Sequence, residues 1–304
     1  MRVLVLGWSS VLHGEATAGD VLATEAVAAR LRADGVAHDV AWSPAMHLAY
    51  GPRGGILLDE ADPGAYTHVV WVCGPLAGEP VREVHERFAA ARRVAVGVSV
   101  LDPADPAVTG FHAVVPRDAP GGPAERDLAA RPVPAAVPVV GVFLTHGQGE
   151  YGARRRHDEV SRALGDWLGG LDVAALQLDT RLDPRDWRHP STAEQVGSVV
   201  ARLDVVVTTR LHGLVLALAA GVPALAVDPV AGGGKVSAQA GAWAWPGLLG
   251  CEEVLAADGA LALDEQFAWC RSGDGRAAAL AARDARAATG AGQLDALAAA
   301  LRTP

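Results

Sequence analysis

The stretch Asp204-Val-Val-Val-Thr-Thr-Arg-Leu-His-Gly-Leu-Val-Leu-Ala-Leu-Ala-Ala-Gly-Val-Pro-Ala-Leu-Ala-Val-Asp228 reads as one βαβ passage. Val205 to Val207 form a continuous apolar, β-branched run, the pattern of a strand buried on both faces. Polar residues begin at Thr208, where the chain leaves the sheet. A helix is expected from Leu214 to Ala220, with Gly221 suited to its end and Pro223 preventing its continuation. The next strand is Ala224 to Val227. Two strands joined by a helix imply parallel pairing through a crossover.

The same alternation extends in both directions. Towards the N-terminus the spacing predicts strand Val139–Leu144, helix Arg155–Leu168, strand Val173–Leu178 and helix Thr192–Arg202, with Ser191 and Glu194 as a capping box. Earlier still come strand Arg2–Leu6, bounded by Gly7, and a helix over Asp20–Ala33. Further strands are expected at Val40–Trp42, Val69–Cys73, Val94–Val100 and Ala113–Val115, with an amphipathic helix at Glu79–Arg92. Arg131–Pro138 holds prolines at 132, 134 and 138 and reads as a linker. The fold class expected is therefore α/β: two doubly wound, Rossmann-like parallel-sheet domains, 1–133 and 134–304, facing a cleft at their carboxyl-terminal strand ends. The Ala-rich tail Gln266–Arg302 reads as helical, broken near Gly290 and Gly292, and could return to the first domain.

Composition narrows the function classes. The 304 residues carry 26 Lys+Arg against 35 Asp+Glu, a net charge of −9, which argues against a nucleic-acid binder. Cys73, Cys251 and Cys270 form no C-x-x-C pair, so neither a disulfide framework nor a zinc site is expected, and a reducing cytoplasm fits. The longest uncharged apolar stretch, Gly213–Val227, is shorter than the roughly 18 to 20 residues of a membrane span. Val3–Leu6 is followed by no A-x-A-like site, so no signal peptide is expected.

Chemistry is sought at the strand ends. If the backbone stays extended past Thr208, Arg210 and His212 lie on one side and Leu211 on the other, beside the amino terminus of the following helix, a ready anion site. The alternative is that Arg210 pairs with a carboxylate and His212 caps the helix. After the next strand comes Asp228-Pro-Val-Ala-Gly-Gly-Gly-Lys235, where three glycines let the backbone approach a ligand. Lys235 is the single lysine among 26 basic residues, a compact ammonium in a chain that otherwise uses the arginine fork. An ordinary loop lysine is the alternative.

The block Pro190-Ser-Thr-Ala-Glu-Gln-Val, with Thr-Thr-Arg-Leu-His-Gly, Leu-Ala-Leu-Ala-Ala-Gly-Val-Pro and Lys235, resembles the polysaccharide pyruvyl transferase family over about residues 139–245. That resemblance implies a two-domain architecture like glycosyltransferases of the B type and transfer of a pyruvyl group from phosphoenolpyruvate to sugar hydroxyls. The donor side would be the second domain and the acceptor side the first. It implies donor-site roles for Arg210, Leu211, His212 and Lys235, and for Arg117 after strand Ala113–Val115. The family's Asn-x-Gly-Asp reads Thr17-Ala18-Gly19-Asp20 here, and its glycine run is reduced to Cys73-Gly74-Pro75.

Ketal formation needs a proton on the methylene carbon, a stabilised oxocarbenium-like centre and departure of phosphate. Arg210, Lys235 and Arg117 suit the anion, and His212 suits the proton donor, since imidazole titrates near neutrality. No other cofactor or metal is expected: phosphoenolpyruvate is a co-substrate, and His157-Asp158-Glu159 lacks metal-ligand spacing. On the acceptor side, Asp20 reads either as a helix N-cap or as a group orienting a diol, Trp8 as a stacking surface for a sugar, and His146 as a cleft or turn residue. Arg154–Arg156 would reach an anion or lie solvated at a helix start. The expected partners are phosphoenolpyruvate and a sugar-containing molecule, and a homo-oligomer is compatible. A nucleotide-sugar glycosyltransferase and a non-catalytic binding protein of the same architecture are the competing functions.

Overall fold

The computed structural model describes residues 1–11, 16–131, 137–288 and 292–302. The chain divides into two compact units, Met1–Val133 and Pro134–Pro304. The proline-rich segment expected as a linker falls largely on residues 132–136, and Gly290 in the tail likewise lies outside the described residues.

The first unit runs β1 (Arg2–Gly7), α1 (Ala18–Ala33), β2 (Ala37–Trp42), α2 (Pro44–Tyr50), β3 (Ile56–Leu57), β4 (His68–Val72), α3 (Glu79–Arg87), β5 (Arg92–Ser99), α4 (Pro106–Thr109) and β6 (Ala113–Asp118). Its sheet is ordered β3-β2-β1-β4-β5-β6, and every pairing is parallel. The chain builds outward from β1 through β2 and β3, then restarts beside β1 with β4. That reversal is the switch point at which open α/β sheets leave a crevice beyond their strand ends.

The second unit runs β7 (Val139–Phe143), α5 (His157–Gly169), β8 (Ala174–Gln177), α6 (Ala193–Val200), β9 (Val205–Thr208), α7 (Leu211–Ala220), β10 (Ala224–Asp228), α8 (Lys235–Ala242), β11 (Leu248–Gly250), α9 (Cys251–Val254), α10 (Gly259–Arg271), α11 (Gly273–Ala288) and α12 (Gly292–Ala300). The sheet is ordered β11-β10-β9-β7-β8, all parallel, with its switch point between β7 and β9. Burial on both faces explains the unbroken apolar runs: Val205 and Val207 enter one core with Leu225 and Val227, while Val206 enters the other with Ala224 and Ala226. The tail is not one helix, since Ser272 separates α10 from α11, and Ala279 of α11 joins the core beside α7.

Local chemistry moves several boundaries. The amphipathic helix ends at Arg87 instead of Arg92, because Arg92 already pairs with His68 in the sheet. α6 is capped by Thr192, whose hydroxyl accepts from Gln195 N–H, while Gln195 Oε1 accepts the Ser191 N–H at 2.6 Å. The capping box expected from Ser191 and Glu194 is thus shifted by one residue. No helix among the described residues is long and apolar enough to cross a membrane.

Candidate active site

The Thr-Thr-Arg-Leu-His-Gly segment sits at the β7/β9 switch point. Thr208 stands opposite Phe143 of β7 and Ala226 of β10. Its buried hydroxyl donates to Phe143 O at 3.0 Å and accepts the Arg210 N–H at 2.9 Å. Thr209 Oγ1 accepts the Thr145 N–H at 2.8 Å, tying the ends of β7 and β9 together. By taking the Arg210 N–H, Thr208 turns the chain, so α7 starts at Leu211, three residues before the expected Leu214, with Arg210 as its extended N-cap. The backbone therefore does not stay extended, and Leu211 and His212 enter the first helical turn instead of alternating. Gly213 makes this possible: a Cβ there would overlap Thr208 Oγ1 and lie 3.2 Å from Phe143 Cβ.

Arg210 turns towards β7 and β8. Its Nε donates to Leu144 O at 2.9 Å, and Nη1 and Nη2 face the Asp179 carboxylate at 3.2 and 3.3 Å. Pairing with a carboxylate, the alternative drawn from the sequence, is what the guanidinium does. The pair stays partly open to solvent, 28% and 31% exposed, at a cavity of about 250 Å³ lined by Arg210, His146, Asp179, Arg188 and His189. His212 is exposed and has no hydrogen-bond partner among the described residues, so it is not a cap. Its own N–H and those of Leu211 and Gly213 open α7, where backbone donors lack helical acceptors.

Lys235 lies on the other side of β9, after β10, and is the first residue of α8 instead of a loop residue. The glycine run before it is organised by Asp228, 1% exposed, whose carboxylate accepts from Val230 N at 3.1 Å, Gly234 N at 2.7 Å, Ser237 N at 2.8 Å and Ser237 Oγ at 2.7 Å. A carboxylate closing an apolar strand before three glycines is a signal the sequence held. Arg154–Arg156 runs beside this loop: Ala231 N donates to Arg154 O and Arg156 N to Pro229 O, each at 2.8 Å, and Arg154 Nη1 reaches Gly233 O at 3.5 Å. The arginines precede α5, which begins at His157, and Arg155 is spent on a bidentate pair with Asp158 at 2.8 and 2.9 Å. His157 is buried against Tyr151, and burial, reinforced by Arg155, lowers its pKa. Among the described residues no group of His, Cys, Asp or Glu has a metal-holding arrangement.

In the first unit, α1 is capped by Thr17, and Asp20 is the third helical residue, its Oδ2 accepting the Thr17 N–H at 2.9 Å and Oγ1–H at 2.8 Å. Asp20 completes a capping box and is not itself the cap. Of the loop from Trp8 to Asp20, which on the functional reading orients a diol, residues 12–15 lie outside the described residues. Trp8 follows β1 at the β1/β4 switch point, its indole N–H donating to Pro75 O at 3.2 Å and its ring edge-on to Trp71 at 5.6 Å. Gly74, at φ 71°, passes under that ring where any Cβ would overlap Trp8 Cδ1. Arg117 is not a free cation: Nε meets Asp118 at 2.7 Å, Nη1 meets Asp127 at 2.6 Å and Nη2 donates to Ser99 Oγ at 2.5 Å. The two carboxylates raise its pKa, the Asp118 carboxyl is lowered by Arg117 and Ser99, and that of Asp127 is lowered first by the Ala129 N–H and then by Arg117.

Residues 170–229 match the model of the polysaccharide pyruvyl transferase family. The matched segment runs from β8 through β10 and so contains Asp179, Arg210, Leu211, His212 and Asp228, ending before Lys235. No curated protein matches the chain. Among solved structures it is similar to several transferases. The spinosyn rhamnosyltransferase SpnG with thymidine diphosphate is 12% identical, with 93% of this chain and 95% of that one covered and a TM-score of 0.33. MurG of Acinetobacter baumannii is 13% identical over 93% and 94%, at 0.31. The heptosyltransferase WaaC of E. coli is 14% identical over 88% and 99%, at 0.25. The two-sheet architecture stands on the strand orders themselves.

Proposed function

We propose that the chain transfers a pyruvyl group from phosphoenolpyruvate to two hydroxyls of a sugar-containing acceptor, with the donor on the second unit and the acceptor on the first. The observation that carries this reading is the coincidence, at one switch point, of the pyruvyl transferase family match with Arg210, the amino terminus of α7 and a His212 that has no hydrogen-bond partner among the described residues.

The imidazolium of His212 protonates the methylene carbon of the enol phosphate, leaving an oxocarbenium-like centre at the adjacent carbon. One acceptor hydroxyl adds there, phosphate departs, and the second hydroxyl closes the ketal. Of the two hydroxyl protons released, one restores His212 and one leaves on phosphate. Arg210 and the opening N–H groups of α7 hold the donor's anionic groups, Arg210 exchanging Asp179 for the ligand. Lys235 serves the same anion from the β10 side. Three free cysteines fit the reducing cytoplasm in which we place this reaction.

The test is phosphate release from phosphoenolpyruvate on addition of sugar acceptors, in the wild type and in His212→Gln. The variant is expected to lose at least about a hundredfold in turnover while binding the donor within about tenfold, because a general acid acts in the transition state. Equal turnover removes His212 from the chemistry. Nucleotide release from nucleotide sugars would point instead to glycosyl transfer, and donor binding without turnover to a binding protein.

A further inference from the structure

A cavity of about 560 Å³ in the first unit opens where β1, β2 and β3 end. Trp8 comes from the end of β1, Trp42 from the end of β2 and Leu57 from β3, while Val84 and Phe88 line it from α3 and its end. The volume is that of a site for a small molecule, and the walls are mainly apolar. Its charges are unbalanced. Arg87, which also lines it, donates to the carbonyls of Leu58 and Ala61 at 2.9 Å and lies 3.7 Å from Asp59, so that cation is already matched by an anion. Glu79 and Glu83 remain. They stand one turn apart on α3, both reach the cavity, both are exposed, and neither pairs with a cation among the described residues. Like charges at this spacing repel one another along a helix. Glu79 gains from the helix amino terminus, but Glu83, a turn further in, has no such compensation.

We infer that this cavity binds a molecule with an apolar ring portion and a protonated amine, the ring lying against the half-buried Trp8 and the amine meeting Glu79 and Glu83. An indole face accepts a ring or the apolar face of a sugar, and it also attracts a cation. Two uncompensated carboxylates beside apolar walls select an ammonium over a neutral amide and over an anion. The inference rests on the first unit being the acceptor side: the acceptor is then an amine-bearing, amphiphilic hydroxyl compound.

Binding is measured by calorimetry on the full chain, without any donor, using phenyl 2-amino-2-deoxy-β-glucopyranoside, its N-acetyl derivative and free glucosamine as probes. The amine-bearing phenyl glycoside is expected to bind at least tenfold more tightly than either of the others. In Glu79→Gln/Glu83→Gln, whose substituted side chains are exposed, the preference for amine over amide is expected to fall to about twofold or less, while the preference for phenyl glycoside over free sugar persists. Equal affinity for amine and amide in the wild type, or a preference unchanged in the double variant, overturns the inference. Phosphate release from phosphoenolpyruvate with the phenyl probes is followed separately. Amine-selective binding without release leaves this site standing and removes the pyruvyl transfer reading, whereas release with only neutral acceptors and no amine-selective binding does the reverse.

Discussion

Gly213→Ala tests the turn on which the site is built. The added Cβ overlaps Thr208 Oγ1, and the fully buried Thr208 has no free direction in which to move. Accommodation therefore breaks the bonds that this hydroxyl makes to Phe143 O at 3.0 Å and from Arg210 N at 2.9 Å. Leaving such buried groups unpaired costs about 1 to 3 kcal/mol, and overpacking adds a similar amount. Alanine gains back only about 1 kcal/mol of helix propensity over glycine. A net loss of about 3 kcal/mol is expected, which at a slope of about 2 kcal/mol/M moves a urea midpoint by about 1.5 M. Circular dichroism through a urea titration measures it. Thr208→Ala is destabilising alone, through the lost bonds, but in the double variant the two changes relieve each other. Their costs should then fall short of additive by more than about 1 kcal/mol. A neutral or stabilising Gly213→Ala, or strict additivity with Thr208→Ala, would refute the close contact as the reason for this glycine.

Arg210→Lys keeps the charge but cannot hold Leu144 O and both oxygens of Asp179 at once, so donor affinity measured calorimetrically should drop at least about tenfold. Asp20→Asn keeps one acceptor for Thr17 and should cost less than about 1 kcal/mol in thermal unfolding, so a loss of acceptor-dependent turnover beyond about tenfold would assign Asp20 to the acceptor. Arg117→Met should lower the urea midpoint of the first unit at pH 7. Asp118 is held down by Arg117 and Ser99, and Asp127 by the Ala129 N–H and by Arg117. Depressed carboxyl pKa values contribute stability that is present above the unfolded value of about 4 and lost as pH falls through the folded one. The gap between wild type and variant should therefore close below about pH 4, and a gap independent of pH would contradict the ion-pair account.

Strand positions were legible because both sheets are buried on both faces: Val205–Thr208 is the observed β9, and Arg2–Leu6 falls one residue short of β1. Short elements were not. β3 is two residues long, and α8 follows a glycine run that reads as loop, so neither carries a periodic signal. The start of α7 is not where propensity puts it, at Leu214, because a local side-chain bond from Arg210 N–H to Thr208 Oγ1 starts the helix earlier. Arg117 reads as a free cation in one dimension. Only the fold shows Asp127, ten residues on, closing over it. Asp179 was invisible for the same reason, lying beyond β8 and meeting Arg210 only through the strand order β9-β7-β8.

That strand order also bears on which donor suits the second unit. Neighbouring strands lie about 4.8 Å apart, so the ends of β10 and β7, on either side of β9, are separated by about 10 Å. Arg210 leaves β9 towards the β7 side, Lys235 follows β10, and His212 stands on the helix that begins between them. On the proposed reading, a small enol phosphate would lie over β9, its carboxylate and phosphate directed to the Arg210 and Lys235 sides. Glycosyl transfer from a nucleotide sugar has no carbon to protonate, and it needs a pocket for a nucleobase. His212, exposed and without a hydrogen-bond partner among the described residues, is free to deliver a proton to the methylene carbon of an enol phosphate and to be reprotonated afterwards. On the proposed reading, therefore, His212 and not the cations distinguishes the enol phosphate from a nucleotide sugar, since either donor would use the cations.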